Sequence, residues 1–246
     1  MRAVLTLLLV VLVAAPAVAQ TDWSGKTVVI TGANRGLGLE FARQLNEAGA
    51  NVIGTARNPE AADELNALGV RVERLDVTDP ESVAALAAAI GDAPIDALLN
   101  NAGIFPSRAG VEGADPKEYA RVYDVNVIGP LRVTQALLPN LRAGDRKLIM
   151  NMSSGLGSIA SNGRGSSAGY RESKSALNMM TKSMAAEFEG FICIAMSPGW
   201  VRTDMGGPNA NLSPEESVSG MLAVLAAATT EDSGRYLDYK GDELGW

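Results

Sequence analysis

Residues 26–49 read KTVVITGANRGLGLEFARQLNEAG. KTVVIT is a β-branched apolar run. It stops at a turn with glycines at 32, 36 and 38, and LEFARQLNEAG then carries helical spacing to Gly49. A strand, a glycine-rich turn and a helix start in that order make a phosphate cradle. Small residues let the backbone come close to the anion, and the free N–H groups and dipole of the helix attract it. Glycines alone mark no more than a tight turn, but here the flanks the motif requires stand on both sides. The cradle residues are Gly32, Asn34, Arg35, Gly36, Leu37 and Gly38.

Outward from this turn, short β-branched runs alternate with helical stretches. Candidate strands are 26–31, 51–56, 70–75, 96–101, 147–152, 191–196 and 235–239. Candidate helices lie near 37–48, 60–67, 80–90, 115–139, 168–188 and 213–228. Such alternation implies right-handed crossovers and a parallel sheet. Several strands are apolar on both faces, as in a sheet covered on each side. The expected fold is α/β: a Rossmann-type, doubly wound, mostly parallel seven-stranded sheet with helices on both faces. With 246 residues and no repeat or linker, residues 20–246 read as one domain.

The composition excludes several function classes. The chain has no histidine, which removes a Ser-His-Asp triad and any histidine metal site, and no metal site is expected. Its one cysteine, Cys193, sits in the apolar run FICIAM, where burial is expected. The net charge is −7 and no Lys/Arg run is present, so nucleic acid is not an expected partner.

The second strand bears on the choice of dinucleotide. Folds that bind NAD commonly end this strand on an acid that holds the ribose 2′-OH. Here it ends in Ala56-Arg57, and Arg35 lies in the glycine turn. Two guanidiniums suit a 2′-phosphate, so NADP(H) is expected over NAD(H). The plainer reading of Arg57 is a solvated loop charge.

With TGANRGLG, the segments LDVTD, NNAG (100–103), VNVIG, NMSSGLGS, YRESK (170–174) and PGWVRTDM (198–205) follow in order. Together they resemble the short-chain dehydrogenase/reductases in their single-domain form, from about Lys26 onward. The wording of several segments is similar to the carbonyl-reductase branch that includes the C-factor-like proteins. The resemblance implies Asp76 and Val77 at the adenine ring. Asn100, Asn101, Ala102 and Gly103 would line the cofactor and stabilise the sheet centre, and Pro198, Gly199, Val201 and Thr203 would meet its nicotinamide end. It further implies that Ser154, rather than the adjacent Ser153, orients the substrate oxygen. Asn126 would hold a proton-relay water, and Lys174 would bind the nicotinamide ribose. It implies an NADP(H)-dependent oxidoreductase interconverting a small-molecule carbonyl and an alcohol, with homodimer surfaces on the helices at 115–139 and 168–188.

Tyr170 and Lys174 stand four apart on a helix and share a face. Alone, such a pair is an ordinary structural contact. With the cofactor motif and Ser154 it becomes an acid–base pair. A free phenol ionises near ~10. A nearby ammonium and the positive nicotinamide of NADP⁺ are expected to lower that value and let Tyr170 exchange a proton with a carbonyl oxygen. Asn126 is a weak helix former inside a helical stretch, which suggests either a function or an irregularity beside Gly129-Pro130. Tyr170 follows Ser154 by 16 positions, and the small polar residues between them read as a loop at the cleft mouth. A short 206–218 segment suggests an open pocket.

A second reading is a C-factor-like, nucleotide-binding signalling protein with little turnover. A sugar-nucleotide epimerase fits the glycine spacing less well. The start, MRAVLTLLLVVLVAAPAVAQ, has Arg2, an apolar run and Ala17-Val18-Ala19, the pattern of an export signal cleaved after residue 19. Export to a periplasm or medium is expected, with no membrane span after cleavage. An uncleaved anchor or a cytoplasmic chain is the alternative. Export sits uneasily with NADPH, a cytosolic currency, and no twin-arginine pair is present.

Overall fold

The computed structural model describes residues 23–246, so the export-signal reading of 1–19 lies outside the described residues. Seven strands form: β1 (Thr27–Ile30), β2 (Asn51–Ala56), β3 (Arg71–Arg74), β4 (Ala97–Asn100), β5 (Leu148–Met152), β6 (Ile192–Ser197) and β7 (Arg235–Asp238). They make one sheet in the order β3-β2-β1-β4-β5-β6-β7, and every named pair is parallel. This is the expected doubly wound α/β architecture. The chain leaves β1 toward β2 and β3, then returns to β4 on the other side. The crevice at the carboxyl ends of β1 and β4 is the switch point where such sheets bind ligands.

The central strands are apolar at successive positions because both faces are covered. Val28, Ile30, Leu99, Leu148, Met150, Ile194 and Met196 face one core. Helices α1 (Gly36–Glu47) and α7 (Pro214–Ala227) cover that face with Phe41, Leu45, Met221 and Leu225. Val29, Leu98, Ile149 and Cys193 face the other, covered by α3 (Pro80–Ile90), α5 (Gly129–Ala143) and α6 (Tyr170–Glu187). Each fully buried Leu, Ile or Phe stabilises the fold by roughly 1.5–3 kcal/mol relative to an exposed one. Cys193 is buried as expected, and burial pushes its thiol up to about 12.

Three helices start on side-chain caps. Asp79 accepts from Glu81 N at the head of α3, and Asp115 from Lys117 N at the head of α4 (Pro116–Tyr123). Ser213 accepts from Glu216 N at α7, with Pro214 in the first turn. The expected helix at 60–67 is a 3₁₀ turn, Pro59–Ala61, followed by the five-residue α2 (Asp63–Ala67).

The single helix expected at 115–139 is corrected. It breaks into α4, a π-helical turn at Asp124–Ile128, and α5. Pro130 has no N–H to donate to the carbonyl of Asn126, four residues back, so the α pattern cannot run through. Helix α5 also passes Pro139 and ends at Ala143. Asn140 anchors that extension by donating to the carbonyls of Gly91 (2.6 Å) and Ala93 (2.8 Å).

Candidate active site

The glycine turn is held from beneath. Thr31 Oγ1 accepts from Asn101 N and Ala102 N, each at 3.0 Å. Asn101 Nδ2 donates to the carbonyls of Thr31 (2.9 Å) and Gly32 (3.1 Å). Gly32 and Gly36 have φ of 67° and 56°, which favour glycine. At Gly38 a Cβ would sit 2.1 Å from the carbonyl oxygen of Gly32, so no side chain fits. Helix α1 differs from α3, α4 and α7: its cap residue Arg35 makes no side-chain cap bond, and its first turn carries no acid. Its N–H groups are therefore left for an anion. A dinucleotide's pyrophosphate fits this cradle by both backbone clearance and charge.

Around the turn the expected cofactor residues fall into two groups. On one side, Arg57 follows β2 and is exposed, with no acidic side chain within ion-pair distance among the described residues. Asp76 follows β3 and accepts from Thr78 N (3.0 Å) and Thr78 Oγ1 (2.7 Å). Those bonds, then the charges of Arg57 and Arg74, hold its carboxyl below the usual range. Val77 packs where Gly129 leaves room, since a Cβ on Gly129 would lie 2.8 Å from Val77 Cγ2.

Arg35 pairs with Asp204 at 3.1 Å, both largely exposed. Such a pair contributes little and is readily exchanged for a phosphate. On the other side, the segment after β6 meets the glycine turn, with Thr203 Cγ2 3.6 Å from where a Gly36 Cβ would stand. Pro198 is anchored through its carbonyl by Ser217 Oγ (2.7 Å), and Val201 bridges to Leu212. Gly199 has φ of 77°, and a Cβ there would meet Leu212 at 2.6 Å.

Asn100 does not line this crevice. It is buried and donates to Asn151 Oδ1 (2.9 Å) and Thr134 Oγ1 (3.2 Å), while Asn151 donates to Thr181 Oγ1 (2.9 Å). That network ties β4 and β5 to α5 and α6, which is the expected sheet-centre role of Asn100.

Ser154, Tyr170 and Lys174 do converge. Tyr170 begins α6, where Glu172 closes the turn by accepting from Gly169 N at 2.6 Å. Lys174, one turn on, donates from Nζ to the carbonyl of Met152 (2.7 Å) and stands 5.6 Å from the centroid of the Tyr170 ring. Ser153 is buried and donates to Asn178 Oδ1 at 2.5 Å, which occupies it structurally. Ser154 is the serine that faces the phenol. Gly103 lies in the same cluster: a Cβ there would be 3.4 Å from Asn126 Oδ1 and 3.6 Å from Lys174 Nζ.

Burial dominates the electrostatics of the pair. The expected lowering of the phenol rested on the Lys174 ammonium together with the positive nicotinamide. Burial by the protein alone pushes Tyr170 up to about 12, with Ser154 pulling it back. The ammonium is held at the Met152 carbonyl, and burial lowers Lys174 to about 8. Asn126 was expected to hold a relay water, and its side chain is engaged within the protein. Its amide hydrogens go to the Ile104 carbonyl and Ser173 Oγ, both at 3.1 Å, and its Oδ1 accepts from Ile104 N at 2.9 Å. The π-helical turn aims that side chain at the strand-end loop.

Aromatic and cationic side chains stand at the mouth. The Phe105 ring lies 4.4 Å from that of Tyr170, and the Arg108 guanidinium stands 5.0 Å from Phe105. The loop between Ser154 and Tyr170 does border the cleft. It is fastened to the Phe105 loop by Ser167 N to Arg108 O (3.2 Å) and Ala168 N to Ala109 O (2.9 Å). Sequence reasoning passed over Phe105, Asn178 and Tyr236. Phe105, two residues beyond NNAG, carried a positional signal, whereas the other two are visible only once α6 and β7 pack together.

A model of the short chain dehydrogenase family matches residues 26–212. A C-signal protein of Myxococcus xanthus is 44% identical over 155 residues, covering 62% of this chain and 93% of its own. An NADPH-bound carbonyl reductase from chicken fatty liver superposes with a TM-score of 0.86 at 36% identity, covering 91% of this chain and 100% of its own. Carbonyl reductase Sniffer of D. melanogaster gives 0.85 at 32% identity, covering 90% and 100%. The fold and the cleft define an oxidoreductase acting on carbonyl and alcohol groups. The chain belongs to the short chain dehydrogenase family.

Proposed function

We propose that this chain is an NADP(H)-dependent carbonyl reductase in which Tyr170 is the proton donor. The observation that carries this is the convergence of Ser154 and Lys174 on one buried phenol beside an uncapped, glycine-lined helix start. The bound dinucleotide supplies the hydride that reduces the carbonyl carbon. Ser154 donates a hydrogen bond to the substrate oxygen and orients it. Tyr170, held protonated by burial, gives its proton to that oxygen. The phenolate left behind is costly in this dry site, and the Lys174 ammonium offsets it. Gly32, Asn34, Gly36, Leu37 and Gly38 hold the pyrophosphate, Arg35 and Arg57 favour the 2′-phosphate, and Asp76, Val77 and Asn101 to Gly103 line the adenosine and ribose side. Pro198, Gly199, Val201 and Thr203 close the nicotinamide end.

The likeness to a C-signal protein supports a second reading, a nucleotide-binding regulator with little turnover. One experiment separates the two. The purified protein is titrated with NADPH by fluorescence and then given a panel of aldehydes and ketones. The reductase reading expects turnover that Tyr170→Phe abolishes, with NADPH affinity nearly unchanged. Tight NADPH binding with no carbonyl reduced supports the regulator.

A further inference from the structure

We propose that Tyr236, on β7, is a positioning residue for Ser154. This rests on the reductase reading of the site. Tyr236 Oη donates to the carbonyl of Ser154, whose other acceptor position is filled by Gly157 N at 2.8 Å. The Ser154 peptide is thereby fixed from both sides just where the strand ends and the serine must face the substrate.

Three consecutive residues are tethered in the same manner. Lys174 holds the carbonyl of Met152, Asn178 holds the hydroxyl of Ser153, and Tyr236 holds the carbonyl of Ser154. Lys174 and Asn178 stand one turn apart on α6, so that helix secures two of the three. Only Tyr236 reaches from the far edge of the sheet, 82 positions away in sequence.

The pleat of β7 explains the reach. Leu237 joins the core under α1 and α7, so Tyr236 projects to the opposite face, beside α6. It is fully buried and pairs with Ala195 of β6. The segment 243–246 folds back over it. Leu244 N donates to the Tyr236 carbonyl (2.8 Å), and the Trp246 ring lies 5.6 Å away. The Trp246 carbonyl in turn accepts from Ala160 N at 2.8 Å, in the loop that follows Ser154.

Tyr236→Phe removes the hydroxyl and keeps the ring under Trp246. With NADPH and 4-nitrobenzaldehyde, kcat is expected to fall about fivefold, the scale of one lost hydrogen bond, with NADPH affinity unchanged. Ser154→Ala is expected to lower kcat about a hundredfold. The double variant should be no slower than Ser154→Ala alone, because Tyr236 acts through Ser154. An unchanged kcat in Tyr236→Phe, or a fivefold loss that repeats in the Ser154→Ala background, overturns the proposal and leaves the reductase reading standing. A neutral Ser154→Ala, or a wild-type chain that reduces no carbonyl, overturns both.

Discussion

A phenol buried beside no negative charge stays protonated, and this makes the direction of chemistry at Tyr170 legible. Burial pushes its pKa up to about 12, which supports the proton-donor role proposed for it. Lys174 is the group that titrates in the working range, lowered to about 8 by the same burial. If its ammonium holds the nicotinamide ribose, NADPH affinity should drop as pH rises through about 8. The sign follows because a lowered pKa means that the charge is lost earlier than in a free lysine. Fluorescence titration from pH 6 to 10 checks this, and in Lys174→Met the same curve should be flat across that window. The arginines allow a separate test. Arg35→Ala with Arg57→Ala should weaken NADPH by about 2 kcal/mol, since each removes a charged hydrogen-bond partner of a phosphate, while NADH binding changes little. Equal loss for both nucleotides would show that these guanidiniums do not read the 2′-phosphate. The ion pair of Arg35 with Asp204 was invisible in the sequence because 169 positions separate the two.

At the scale of elements, the turn before α1 is where backbone clearance matters most. Gly38→Ala would drive a Cβ to 2.1 Å from the Gly32 carbonyl, a backbone atom that cannot swing aside. Helix α1 must then shift, which should cost about 3 kcal/mol or more and abolish NADPH binding. Denaturant melts and nucleotide titration of the same variant measure both losses. The central strands were legible because a doubly covered sheet demands continuous apolar runs, while the edge strands β3 and β7 are only partly apolar; all seven appeared within a residue or two of the expected bounds. The break at Asp124–Ile128 was half legible. Asn126 signalled an irregularity, but only the spacing to Pro130 explains it, through a hydrogen bond that proline cannot make. Continuation of α5 through Pro139 was hidden, because the buried contacts of Leu137, Asn140 and Leu141 override local preference. The cradle and the serine–tyrosine–lysine set were legible from local motifs. Phe105, Asn178 and Tyr236 were not, since their roles come from contacts between distant segments.

For the whole molecule, Trp23 ties the segment before β1 into the core. That side chain is buried, and the Arg146 guanidinium stands 5.2 Å from its ring. Its carbonyl accepts from Lys26 N at 3.1 Å, which leads directly into β1. Among the described residues no helix is long and apolar enough to cross a membrane. We propose that residues 1–19 act as an export signal, removed to leave Gln20 as the first residue. A chain beginning at Gln20 keeps Trp23 and the core it joins, and as the mature form it should bind NADPH, which nucleotide titration of that chain checks. Trp23→Ala in that shortened chain should cost about 3–5 kcal/mol, as for other large aromatic truncations in a core. N-terminal sequencing of protein recovered from cell fractions tests the export step itself. Gln20 at the start of an extracytoplasmic species is the expected result. A cytoplasmic species that still begins at Met1 would sink the export proposal and remove the conflict with a cytosolic NADPH supply.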